Sequence, residues 1–350
     1  MLPNLFSRIE ICLRPQRAAS PSPLAYDMAR RVGRHSAASC IALVVASFMA
    51  LFVYSTAAAQ AIVWRNVETL DVTAINADIV ADKPTVDVGL YYPSNLDEAF
   101  VAAVPLSGLV KEFREAKKIF GVAGVQLNLL WVKSGEVDPK YFSLHSTNTE
   151  RQIPKSAFQN MYAEQSRNPS VLSDHAREAF ETMVEVDKHN DRTVYLLVLQ
   201  NVYMTFFEDL DGGRNWAPRM VNTGGLSFPS YMYGDQMPRR VRGVITLTKH
   251  DPKHHRIIAH EIGHKIMNVS HEYKERGPEH EIIAEGGLML YGGGTDIPAG
   301  EAGRWHRERL HKSPYIYRRG TDGAKKWNPD YVAGGFYYDA LYENYVVEFK

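Results

Sequence analysis

His260, Glu261 and His264 stand in the stretch HEIGHKIMNVSH (260–271), and HExxH is a spacing suited to a hydrolytic metal centre. Residues four apart on an α-helix share a face, with side chains about 5–6 Å apart, so two imidazoles can grip one ion. Glu261 then lies beside that ion, over the coordination position left for water. Zinc would lower the pKa of this water to about 7, and the glutamate would take its proton as it attacks a carbonyl. A competing reading makes His260 and His264 ordinary histidines of an amphipathic helix. Against it, Ile257, Ile258, Ile262, Ile266 and Met267 supply an apolar stripe that would pin the helix into a core.

A catalytic zinc wants three protein ligands and an open position. Were the helix to run unbroken to His271, a rise of about 1.5 Å per residue would carry that histidine some 10 Å from His264. Sharing an ion therefore requires a sharp turn, and Asn268 is the intervening residue that tolerates a left-handed conformation. His271 then follows the turn as a third ligand. It competes with a carboxylate, since Glu281 and Glu285 lie shortly downstream and Glu285 stands 21 residues after His264.

On these residues the sequence resembles the metzincin metalloproteases, whose motif HExxHxxGxxH supplies three histidines and turns at its glycine, in some members an asparagine. Here the turn residue and the third histidine each stand one position later. GGLMLYGGG (286–294) is similar to the Met-turn of that family, with Met289 at the methionine and Tyr291 at the tyrosine two residues on. The resemblance covers roughly residues 85–315. It implies a zincin domain of α+β or α/β class, with a mixed twisted sheet, an active-site helix and a C-terminal helical subdomain. It further implies Zn2+ held by His260, His264 and His271, Glu261 as general base, and Tyr291 steadying the oxyanion during cleavage of a peptide or protein substrate. Taking Glu285 or Glu281 as third ligand instead would resemble the thermolysin-like gluzincins. A secreted binding protein, stabilised by zinc and without catalysis, is the alternative of another class.

Such a site must be positioned by a sheet, and the aliphatic runs supply one. VDVGLYYP (86–93), VQLNLLWVK (125–133), TVYLLVLQ (193–200) and GVITLTK (243–249) read as strands, and GGLSFPSYMY (224–233), with its proline, as an edge strand along which a peptide could lie. Helical patterns run from Ser107 to Phe120 and from about Ser170 to Lys188. Residues 62–84 form a lead-in and 134–170 a polar surface excursion. FEDLDGGRN (207–215) reads as an acidic turn, RWHRERLHK (304–312) as a basic, solvated helical face, and the aromatic tail 336–349 as a packed terminal element.

The first 61 residues read as a segment apart. CIALVVASFMALFVYST (40–56) is uncharged, follows an arginine-bearing stretch and precedes AAAQA, the layout of a secretory signal cleaved near Ala59 or Ala61. Met28 opens MARRVGRHSAAS, an n-region of ordinary length, and so is the expected start. An uncleaved signal anchor is the competing reading, the only one that involves a membrane. Cys12 and Cys40 both fall in this segment, so an exported chain would carry no disulfide. The chain has 40 basic and 40 acidic residues. Six arginines but only Glu10 and Asp27 precede residue 60, leaving 34 basic against 38 acidic beyond it. No basic field remains to draw nucleic acid. The domain expected to act is 85–350.

Overall fold

The computed structural model describes residues 61–147, 171–185, 192–209, 216–233, 236–269, 271, 287–290, 296–328, 337–339 and 343–345. The leader up to Gln60 lies outside them, as do Glu281, Glu285, Tyr291, residues 210–215 and most of the aromatic tail.

From Trp64 the chain passes β1 (Arg65–Asn66) and α1 (Val72–Ile75) into β2 (Thr85–Pro93), every residue of which is buried. Helices α2 (Glu98–Ala103) and α3 (Leu106–Val122) lead to β3 (Gln126–Gly135). Then come β4 (Ser143–His145), α4 (Asp174–Met183) and β5 (Val194–Val198). The hairpin of β6 (Asn201–Asp209) and β7 (Trp216–Asn222) precedes β8 (Gly225–Leu226), α5 (Ser230–Tyr233) and β9 (Val244–Leu247). The HExxH helix is α6 (Ile257–Met267), followed by α7 (Arg304–His311), β10 (Tyr317–Arg319) and β11 (Lys325–Trp327).

The fold is mixed α+β around a mixed sheet. Its strand order is β1-β3-β2-β5-β9-β8, with β10 joining β2 and carrying β11. The four central strands β3, β2, β5 and β9 are mutually parallel, whereas β1 and β8 close the two ends antiparallel. Parallel neighbours need crossovers, and a crossover helix covers the sheet face it passes. Strands so covered read as largely apolar runs, which is why β2, β5 and β9, buried along their whole length, are plain in the sequence. Helix α3 presents Leu109, Val110, Phe113, Ala116, Ile119 and Phe120 to the core, an interval pattern of three and four. It packs against both β3 and α6.

Several expectations are corrected. The edge strand expected over 224–233 is only Gly225–Leu226, because Phe228 adopts a left-handed φ of 48° and Ser230–Tyr233 coil into a helical turn. The region after residue 134 is not wholly a surface excursion: Tyr141, Phe142 and Leu144 are buried, and β4 pairs with β6 in a separate three-stranded sheet with β7. The basic face of α7 is only partly solvated, since His306, Arg309 and Leu310 are buried. Among the described residues beyond the site, α7 is the one α-helix, and the chain returns to the main sheet through Tyr317 opposite Thr85.

Candidate functional site

Helix α6 is held by its apolar stripe. Ile258, Ala259, Ile262, Ile266 and Met267 are buried, and the helix packs against α3, β8, β9 and α7. It stops at Asn268, whose φ of 50° and ψ of 55° place it in the left-handed region. Asparagine tolerates this conformation better than any β-branched residue does. The reversal returns the chain, so that Val269 and His271 face the helix that has just ended.

Three imidazoles meet as a result. The Nε2 of His264 lies 3.1 Å from that of His260 and 3.3 Å from that of His271. The rings of His260 and His271 are nearly parallel, with centroids 5.1 Å apart, and His264 stands edge-on to both. Two backbone carbonyls fix the tautomers: Leu288 O lies 2.8 Å from His260 Nδ1, and Val269 O lies 2.7 Å from His264 Nδ1. A carbonyl oxygen can only accept, so each of these Nδ1 atoms carries the proton. Burial pushes all three imidazoles below their usual range, which keeps them neutral. His260 and His264 therefore turn bare Nε2 lone pairs on each other. A proton on His271 could satisfy one contact of this trio but not that pair. A small cation bound by all three nitrogens would relieve it, and an all-imidazole donor set suits a borderline transition metal rather than calcium or magnesium.

The carbonyl that orients His260 comes from a tight turn. Leu290 N–H donates to Gly287 O at 3.2 Å, and Leu288 and Met289 within the turn are fully buried. The turn comes this close because residue 263 has no side chain: a Cβ there would meet Met289 Sδ at 2.5 Å and Leu288 Cδ2 at 3.2 Å. Met289 thus lies directly beneath the helix segment that carries His260 and His264. Tyr291, two residues on, falls outside the described residues.

Glu261 is buried against the end of the sheet. A Cβ on Gly225 in β8 would come within 2.6 Å of Glu261 Cγ and 2.8 Å of its Oε1, so the edge strand and the carboxylate are in contact only because this residue is glycine. Burial pushes the Glu261 carboxyl up to about 8, opposed by the charge of Lys265 one helical turn on. Lys265 is itself buried. Its ammonium donates to Phe228 O at 3.0 Å and Arg242 O at 2.7 Å, tying α6 to the segment that follows β8.

Sequence reasoning reached the three histidines, Glu261, Asn268 and Met289, and the structure brings His260, His264 and His271 together. It missed Gly225, Gly263, Lys265 and the carbonyls of Val269 and Leu288. A glycine inside an apolar helix costs about 1 kcal/mol against alanine, so Gly263 did carry a signal of close packing. The carbonyls carried none, because their roles depend on the fold alone. No protein-family model matches the chain, and no curated protein proved similar to it.

Proposed function

We propose that this chain is an exported zinc-dependent endopeptidase of the metzincin type. The observation that carries the reading is the left-handed turn at Asn268, which brings His271 Nε2 to 3.3 Å from His264 Nε2 and completes a three-imidazole set. With that set complete, a carboxylate from Glu281 or Glu285 is not required as a ligand. His260, His264 and His271 would hold the ion. Zinc bound there supplies a Lewis acid that lowers the pKa of water and polarises a carbonyl.

Glu261, beside the same helix face, takes the proton of the attacking water and returns it to the leaving amine. The resemblance assigns Tyr291, which lies outside the described residues, the role of a hydrogen-bond donor to the developing oxyanion. The substrate backbone lies extended against β8, whose outer side pairs with no strand among the described residues and whose Gly225 touches Glu261.

The test is Glu261→Gln, assayed on a peptide library with zinc content measured in parallel. The expected result is a fall in kcat/KM of about 10²–10⁴-fold, the usual weight of a general base, with zinc retained. Full activity in the variant would overturn the mechanism. Zinc retention with no activity in either protein would leave a zinc-stabilised binding protein as the better reading.

A further inference from the structure

We propose that Glu112, His250 and His255 form a second site for a divalent transition metal, separate from the three-histidine cluster and located where α3 meets the loop that leads into α6. One ligand atom from each of the three lies within 4.8 Å of the others. Glu112 is wholly buried, on the core side of α3, a position where a carboxylate requires a partner. Its Oε1 lies 2.5 Å from His250 Nδ1 and accepts from Asp251 N–H at 2.6 Å. Its Oε2 makes no hydrogen bond. The Nδ1 of His255, also enclosed, makes none either.

Two unmet polar atoms in one cluster, one of them on a fully buried carboxylate, are the signature of an absent partner. The rings of His250 and His255 are stacked with centroids 5.6 Å apart, and His255 reaches this pose through a φ of 56°. Left-handed backbone costs a non-glycine residue about 1–2 kcal/mol, so the loop presents this imidazole at a cost. Two imidazoles and one carboxylate select zinc, cobalt or nickel over calcium and magnesium, which prefer all-oxygen sets. A cation here takes the place of the proton that Glu112 and His250 share. It also cross-links α3 to the loop that sets where α6 begins, a helix whose N-cap, Arg256, supplies no side-chain hydrogen bond.

The competing account is a buried Glu–His contact that only steadies the helix start, with the Glu112 carboxylate also drawing a weak backbone hydrogen bond from Ile258 N–H in the first turn of α6. The experiment that separates the two is zinc stoichiometry. The full chain is stripped with a chelator, reloaded with Zn2+ alone, dialysed and assayed by atomic absorption. Wild type, His255→Asn and His264→Ala are compared. Asparagine keeps the left-handed backbone accessible, and the Glu112–His250 contact is untouched, so this variant folds.

Wild type should hold two equivalents of zinc, and each variant one. If wild type and His255→Asn hold the same amount, the second site does not exist. If His255→Asn loses zinc while His264→Ala loses none, the second site stands and the proposed catalytic centre falls. If only His264→Ala loses zinc, the proposal here is overturned and the catalytic centre stands.

Discussion

Glu261, the proposed base, lies where charge is disfavoured, and that conflict has a measurable sign. Burial raises its carboxyl to about 8 in the metal-free fold, whereas in the unfolded chain it titrates near 4.3. Between those values the folded state holds the extra proton, so stability contributed by the neutral carboxyl is present below about 4.3 and is lost as pH rises through 8. Glu261→Gln removes a group that must otherwise be buried charged. The metal-free variant should therefore melt above metal-free wild type at pH 8 and level with it near pH 4. Calorimetry at both pH values decides this, and an equal difference at both would mean that the carboxyl is not the cause. Gly225→Ala tests the other constraint on this residue, since the new Cβ would overlap Glu261 Cγ at 2.6 Å. Misplacing a reacting group by about 1 Å costs on the order of 10²-fold, so kcat should drop by about that factor with zinc content unchanged. HExxH was legible because its geometry is local to one helix. The contact with Gly225 was not, because 36 residues and a strand reversal separate the two.

At the scale of elements, the end of α6 is the decisive joint. Asn268→Gly should leave stability and zinc binding nearly unchanged. Asn268→Val should cost about 1–2 kcal/mol, the penalty of a left-handed β-branched residue, and should weaken zinc binding because His271 follows the turn. Denaturant titration and a zinc competition assay measure both, and equal behaviour of the two variants would remove Asn268 from its role. Gly263→Ala reverses the usual helix rule. Alanine ordinarily gains about 1 kcal/mol over glycine in a helix interior, but here its Cβ would meet the fully buried Met289, so a net loss of about 1–3 kcal/mol is expected. The elements themselves were legible in proportion to their burial. Strands β2, β5 and β9 are buried along their whole length and read as largely apolar runs, whereas β3 alternates buried and half-buried residues and shows itself through Leu127, Leu129 and Val132. Strands β6 and β7 lie in a smaller sheet, and the run FEDLDGGRN bridges them with turn-forming residues, so its acidic and glycine content masked the strand ends at Asp209 and Trp216. The shortness of β8 was hidden because no residue type announces the left-handed φ of Phe228.

For the whole molecule, the question is how far the fold depends on metal. The three imidazoles belong to one helix and the turn that follows it, and the sheet behind them is completed by strands that carry no ligand. No cysteine lies beyond residue 60 to add a covalent tie. The metal-free chain should therefore keep its far-ultraviolet circular dichroism, unlike a small zinc module that unfolds without its ion. Zinc should still raise the melting temperature by mass action. At a free concentration of about 1,000 times Kd, a ligand that binds only the folded state adds about 4 kcal/mol. For a domain of this size each kcal/mol shifts the midpoint by about 2–4 °C, so emptying the three-histidine site should by itself lower Tm by about 8–16 °C. The His264→Ala variant should lose the share of that response that belongs to the three-histidine site and keep any share that belongs to Glu112, His250 and His255, because the remaining two histidines of the trio no longer enclose the ion. A wild-type midpoint indifferent to chelator would mean that the three converging imidazoles hold no metal in solution, and the catalytic reading would fall with them.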